Sequence, residues 1–288
     1  IFEKNFLNLE NKKIISQVRN EGVFFCKNAI KDKFIDNFLN EVDENKFSIN
    51  RNWTTGVYTE NQYYVKHLLG CSKQFYNLIS HNQIQNFCEK FFDKEYRLKA
   101  FRYYETYSKH KMAWHTDNKI SKKKGLDIYK EIPGIIFIIY LSDVQDGEFQ
   151  FIKRSHKISD QEAYNDYSDD FIINKYKDNI LSFKGEKGDL IIYDTYGIHR
   201  AKQVTQNDFV RKSLFFQIDT NLIHYKQLKV VGSHGSRSKH IRLAAKLISE
   251  RKIYIKDLIT HRIKLKDYKV AFKKMSSNKF IKMIFNFN

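Results

Sequence analysis

Two polar residues separated by one position, His115 and Asp117 in the stretch AWHTDN, are the first candidates for chemistry in this chain. In an extended strand alternate residues share a face. The imidazole and the carboxylate then point the same way, with Thr116 behind them. Such a pair offers a metal ion one nitrogen and one oxygen ligand. Alone, it is more often the polarity of a surface turn. A two-histidine, one-carboxylate facial triad needs one further imidazole and leaves three coordination positions open. His199 in DLIIYDTYGIHRA, just past a strand end and 84 residues after His115, is the candidate.

Twelve residues beyond His199 stands Arg211, in VRKSLFFQID. Read as a strand, Arg211, Ser213, Phe215 and Gln217 share one face. An arginine on an inward face is costly unless it meets an anion. A carboxylate would satisfy it through paired hydrogen bonds, and Ser213 would add a hydroxyl to the same carboxylate. Ser213 reads equally well as a satisfied core hydroxyl. Asn118 and Lys119 directly follow the candidate ligands, and Arg102 and Tyr104 lie on a strand leading to them. These four are substrate-facing candidates beside ordinary surface or core roles. Trp114 reads as core packing and His156 as a structural turn residue.

The elements that must position these groups are legible from periodicity. Residues 8–20 and 31–45 carry helical spacing, and 63–93 continues it around Leu68, Phe75, Ile79, Ile84 and Phe87. The period then changes. Segments 97–107, 134–143, 148–153, 189–194 and 211–219 read as strands, as does a short one within 21–30. Asp146-Gly147, the stretch from Gly185 to Gly188, and Gly197 read as turns between them. Strands without regular helical crossovers favour a sandwich or jelly roll over a doubly wound sheet. Residues 120–131 and 157–180 read as long surface insertions, and the lysines at 122–124 as a solvated loop. The longest apolar run, IPGIIFIIYL, is too short to span a bilayer and suits a buried strand.

The chain has 288 residues and a net charge of +18. From Lys226 onward there are 17 Lys and Arg against 3 Asp and Glu, so the basic signal sits in the last fifth. Residues 1–225 look like an ordinary enzyme-sized domain. Cys26, Cys71 and Cys88 are scattered, which argues against a disulfide framework or zinc knuckle and fits a reducing, cytoplasmic compartment. The first residues lack an apolar core of signal-peptide length.

Residues 1–220 resemble the phytanoyl-CoA dioxygenase-like Fe(II)/2-oxoglutarate oxygenases. Four segments agree in order: NEGVFFCKNAI, AWHTD against a WHxD motif, DGEFQFIKRSHK, and KGDLIIYDTYGIHRA. Lys153-Arg154 departs from the family's usual Pro-Gly. The resemblance implies a mainly β fold with flanking helices, a double-stranded β-helix (jelly roll). It implies Fe(II) held by His115, Asp117 and His199, and 2-oxoglutarate with its far carboxylate on Arg211. It further implies hydroxylation of a small-molecule C–H bond with O₂. Related halogenases have a small residue in place of the carboxylate, so Asp117 argues for hydroxylation.

The last residues, 226–288, resemble the C-terminal end of zinc-type medium-chain alcohol dehydrogenases, mainly through LITHR and a following AF. No dinucleotide fingerprint accompanies them. They read as a small, basic, helix-rich appendage, with one helix in SRSKHIRLAAKLISE, capped by Ser236 or Ser238, and another in KDYKVAFKKM. Peripheral contact with an anionic surface through this segment is an expectation. Specific nucleic-acid binding is not, since aromatic residues for base stacking are sparse there. A second reading is a non-catalytic jelly-roll binding protein, anchored by its basic tail to a polyanion, a membrane surface or a partner. The intact ligand set disfavours it.

Overall fold

The run GIIFIIY (Gly134–Tyr140) is apolar throughout because both faces of its strand are covered. Ile135, Phe137 and Ile139 face a helical layer, while Ile136, Ile138 and Tyr140 face a second sheet. The computed structural model describes residues 1–46, 56–93, 95–117, 121–123, 126–128, 133–157, 167–220, 238–250, 252, 261–267, 269–270 and 283–286. The chain divides into two units, Ile1–Gln227 and Leu228–Asn288.

The first unit opens with α1 (Lys4–Leu7), α2 (Asn11–Glu21), β1 (Val23–Cys26) and α3 (Asp32–Lys46). A hairpin of β2 (Gly56–Thr59) and β3 (Gln62–Val65) precedes α4 (Leu68–Cys71), α5 (Lys73–Ile79) and α6 (Asn82–Phe92). Then come β4 (Tyr96–Thr106), a small hairpin of β5 (Ser121–Lys123) and β6 (Leu126–Ile128), β7 (Gly134–Tyr140) and β8 (Val144–Ile152). The rest is α7 (Asp169–Tyr176), β9 (Ile180–Gly185), β10 (Leu190–Asp194), β11 (His199–Ala201) and β12 (Arg211–Thr220). Seven strands form an antiparallel sheet in the order β1-β10-β7-β12-β4-β3-β2, and three form a second in the order β11-β8-β9. Residues of β1, β7, β10 and β12 pack against β8 and β9 in one apolar cluster, which is the interior of the sandwich.

The helices cover the outer face of the large sheet. Phe34, Ile35, Phe38 and Val42 of α3 and Ile84, Phe87, Cys88 and Phe91 of α6 recur at helical spacing and are buried there. Phe87 meets Phe137 edge-on at 5.7 Å, and Phe137 stacks on Phe216 at 4.6 Å. Full burial of one such side chain contributes about 2–3 kcal/mol. α2 ends at Gly22, whose φ of +87° suits glycine; a Cβ there would lie 2.6 Å from His156 Nδ1.

Three expectations are corrected. Residues 62–65 form a strand, because Tyr63 and Val65 alternate inward beside β4. Residues 169–180 are not loop: Ser168 caps α7 by accepting from Phe171 N at 3.2 Å, and Ile172 is buried. Asp146-Gly147 is no turn between strands. It is an irregularity inside β8, where the register with β9 shifts between Val144 and Phe149.

In the second unit, α8 (Ser238–Ser249) lies within the expected helical stretch. β13 (His261–Lys264) and β14 (Met283–Asn286) pair in parallel, so the described part is not purely helical. KDYKVAFKKM falls largely outside the described residues. Among the described residues no helix is long and apolar enough to cross a membrane.

Candidate metal centre and its cavity

One pair of backbone hydrogen bonds brings the two distant histidines together. His115 N donates to His199 O at 3.0 Å, and His199 N donates to His115 O at 2.9 Å. Their ring centroids lie 4.4 Å apart. Asp117, two residues on, is pinned by its own N–H to Thr195 O at 3.0 Å. The potential ligand atoms of His115, Asp117 and His199 lie within 4.8 Å of one another.

The tautomers follow from the partners. His115 Nδ1 is 2.8 Å from Ala113 O, and His199 Nδ1 is 2.9 Å from Gly197 O. A carbonyl oxygen only accepts, so each Nδ1 carries a proton and Nε2 is the ring atom left to serve as a ligand. Those are the atoms facing Asp117, at 3.9 Å from Oδ1 for His115 and 3.2 Å from Oδ2 for His199. Tyr193 Oη donates to Asp117 Oδ2 at 3.2 Å and lies 3.3 Å from His199 Nε2. Burial pushes the Asp117 pKa up, but His199, His115 and the Tyr193 hydroxyl outweigh it and hold the carboxyl below its usual range. Burial and the Asp117 charge push the Tyr193 phenol well up. Two nitrogen lone pairs and one carboxylate on one side of an open cavity fit a facial-triad metal ion.

The triad borders a cavity of roughly 220 Å³, also lined by Arg102, Tyr104, Tyr140, Tyr193, Arg211 and Ser213, with Ile138, Phe149, Phe215 and Met112 among its apolar walls. Arg211 is 7% exposed. Its Nη1 donates to Gly147 O and its Nη2 to Thr106 Oγ1 at 3.3 Å. Among the described residues no carboxylate forms an ion pair with it. Burial pulls its pKa down, against Tyr140, Glu148 and Asp146, which favour the charged form. The β8 irregularity makes the Gly147 contact possible. Gly147 has φ +67°, and Asp146 accepts from the N–H groups of Gly147 at 2.9 Å, Thr205 at 2.6 Å and Gln206 at 2.9 Å.

The register of β4 and β12 orders the cavity wall. Thr106 stands opposite Arg211, Tyr104 opposite Ser213, and Arg102 opposite Phe215. Arg102 Nη1 donates to Tyr104 Oη at 3.0 Å. Seven sequence candidates, His115, Asp117, His199, Arg211, Ser213, Arg102 and Tyr104, therefore line one space. Asn118 and Lys119 lie outside the described residues. His156 does not line the cavity; its Nε2 lies 3.0 Å from Arg19 O in a buried turn. Trp114 is buried, and its Nε1 donates to Asp169 Oδ1 at 3.0 Å.

Sequence reasoning passed over Tyr193 and Tyr140. Both follow the strand period: Tyr193 shares its face with Ile191, and Tyr140 with Ile136 and Ile138. A tyrosine at an inward position was the available signal. Lys153-Arg154 also has a structural consequence. Arg154 has φ +63°, where glycine sits without strain, and its Nη2 meets Glu21 Oε1 at 2.9 Å.

No family model and no curated protein matches this chain, so neither the phytanoyl-CoA subfamily nor the dehydrogenase likeness of 226–288 gains support there. Solved structures do match. HygX from Streptomyces hygroscopicus, solved with nickel and 2-oxoglutarate bound, aligns at a TM-score of 0.56 and 12% identity, over 74% of this chain and 88% of that one. The non-haem α-ketoglutarate-dependent carbocyclase SnoK from nogalamycin biosynthesis aligns at 0.55 and 16% identity, over 74% and 85%. The epimerase SnoN from the same biosynthesis aligns at 0.55 and 15% identity, over 79% and 92%. The chain has a mainly β jelly-roll fold with flanking helices, a likeness in fold to these three proteins.

Proposed function

We propose that this chain is an Fe(II)- and 2-oxoglutarate-dependent oxygenase that hydroxylates a C–H bond of a small molecule. One observation carries the reading. Two Nε2 lone pairs and a carboxylate converge on the same cavity as a buried arginine that pairs with no carboxylate among the described residues. HygX, SnoK and SnoN support it as relatives in fold.

His115, Asp117 and His199 would hold the iron. Arg211 would take the far carboxylate of 2-oxoglutarate, with the Ser213 hydroxyl beside it. Iron with these cosubstrates supplies the oxidising chemistry: 2-oxoglutarate yields succinate and CO₂, and one oxygen atom of O₂ enters the substrate. The chain's own part is positioning. Ala113 and Gly197 carbonyls hold the imidazole tautomers, and Tyr193 orients Asp117. Ile138, Phe149 and Phe215 present apolar surface that keeps water from the reacting centre. Asp117 occupies the position a halide would need open, which favours hydroxylation over halogenation. The motif segments favour the phytanoyl-CoA dioxygenase-like branch. We assign catalysis to residues 1–225, peripheral contact with anionic surfaces to the basic 226–288, and a reducing, cytoplasmic setting from the free cysteines.

The test is uncoupled turnover. Anaerobic Fe(II) and 2-oxoglutarate should give a weak visible charge-transfer band, and admitting O₂ should release succinate. His115→Ala should abolish both. Absence of both in the parent protein would defeat the proposal. Since SnoK and SnoN are a carbocyclase and an epimerase, product analysis must separate hydroxylation from ring closure and epimerisation.

A further inference from the structure

The cavity contains a second arginine that the proposed cofactor chemistry does not use. Arg102 lines the same space as Arg211, and among the described residues it forms no ion pair. Its Nη1 donates to Tyr104 Oη at 3.0 Å, which holds the guanidinium beside the phenol. Arg211 stands opposite Thr106 on β4, and Arg102 lies four residues from Thr106 on the same face. Their backbone positions are thus about 13 Å apart along the strand.

Charge counting points the same way. Among the described lining residues the charged Asp, Glu, Lys and Arg side chains are Asp117, Arg102 and Arg211. A bound divalent metal and a dianionic 2-oxoglutarate would cancel one another, and Asp117 would offset Arg211 within the lining. Within the lining itself, that leaves Arg102 without a counter-charge. A guanidinium facing a largely apolar cavity is favourable when an oxyanion meets it.

We infer that Arg102 is a specificity-determining residue that receives the anionic group of the substrate, which is a small organic oxyanion, a carboxylate or phosphate monoester, with an apolar body. The inference rests on the proposed function for the roles of Arg211 and the metal. The apolar body would lie against Ile138, Phe149 and Phe215, and the Tyr104 hydroxyl, which accepts from Arg102, would donate to the same oxyanion.

Protein loaded with Ni(II) and saturating 2-oxoglutarate is titrated by calorimetry with hexanoate, hexyl phosphate and 1-hexanol. Hexanoate or hexyl phosphate should bind about tenfold tighter than hexanol, or better. Whichever binds tighter identifies the oxyanion. In Arg102→Gln that preference should disappear with 2-oxoglutarate affinity unchanged, and Arg102→Lys should keep part of it. Equal binding of all three probes, or an unchanged preference in Arg102→Gln, would overturn the inference. So would a loss confined to 2-oxoglutarate, which would make Arg102 a cosubstrate residue. If the parent protein binds neither Ni(II) nor 2-oxoglutarate, the proposed function fails. The probe titrations of parent and Arg102→Gln, repeated on the unloaded protein, then still decide the role of Arg102.

Discussion

Arg200 lays its guanidinium 4.4 Å from the centroid of the Trp114 indole, and these two residues directly adjoin the backbone pair joining His115 to His199. Asp169 ties them further, accepting from Trp114 Nε1 and pairing with Arg200, while Arg200 Nε donates to Gln150 Oε1 at 2.8 Å. The two candidate ligands are thus each braced through a sequence neighbour. Arg200→Met keeps most of the volume and removes the brace. Its Ni(II) affinity, read by calorimetry, should fall about tenfold, as when groups supporting metal ligands are lost elsewhere.

Asp117→Asn should separate metal binding from folding. It keeps the shape but loses the anionic ligand between the two Nε2 atoms. We expect Ni(II) affinity to fall by about a hundredfold or more. The metal-free protein should melt within a few degrees of the parent, since Asn can still accept from Tyr193.

Arg211→Met and Arg211→Lys address the anion site. Truncating one partner of a buried charge pair typically costs about 2–5 kcal/mol, so 2-oxoglutarate affinity in Arg211→Met should drop about thirtyfold or more. Lysine cannot reproduce the planar fork and should recover little. Without ligand, the buried cation itself is a burden on folding. Arg211→Met should therefore unfold within about 2 kcal/mol of the parent in urea, after allowing for the bond it gives up at Gly147 O.

Gly147→Ala tests the irregularity in β8. A Cβ there would sit 2.4 Å from Val204 Cγ2 and 3.5 Å from Arg211 Nη1, at a φ of +67°. The clash and the left-handed backbone should cost about 1–3 kcal/mol of stability. Since the Gly147 carbonyl accepts from Arg211, 2-oxoglutarate should bind more weakly as well.

Asp146 gives a pH prediction. Burial raises its pKa, but the N–H groups of Gln206 and Thr205, the Thr205 hydroxyl and Gly147 N–H together lower it below the usual value. A depressed carboxylate adds stability that is full above its unfolded pKa near ~3.9 and is lost as pH falls through the lower folded value. Urea unfolding between neutral pH and pH 3 should therefore show a larger acid loss in the parent than in Asp146→Asn, which should be weaker already at pH 7.

What could be read from the residues alone follows from short-range periodicity. The strand period of two placed His115 with Asp117, and Arg211 with Ser213, on common faces before any pairing was known. The uninterrupted GIIFIIY run pointed to a buried strand. Helical spacing found the layer of Phe34, Phe38, Ile84 and Phe87. Where local signals competed, the reading failed. Asp-Gly is a turn signal, yet at 146–147 it serves a bulge, because Thr205 and Gln206 supply donors that only folding brings near. Likewise Tyr63 and Val65 carry apolar bulk that fits helix or strand, and pairing with β4 decided between them.

The sequence by itself determined which residue types were on hand and which neighbours share a face, since both depend only on local backbone geometry. Only the tertiary structure decided that Tyr193 reaches Asp117, that Arg200 covers Trp114, and that Arg102 and Arg211 line one cavity. These contacts depend on which strands pair and in what register, and that is set by burying the two apolar faces of the large sheet together. A period of two is the same whichever strand becomes the neighbour.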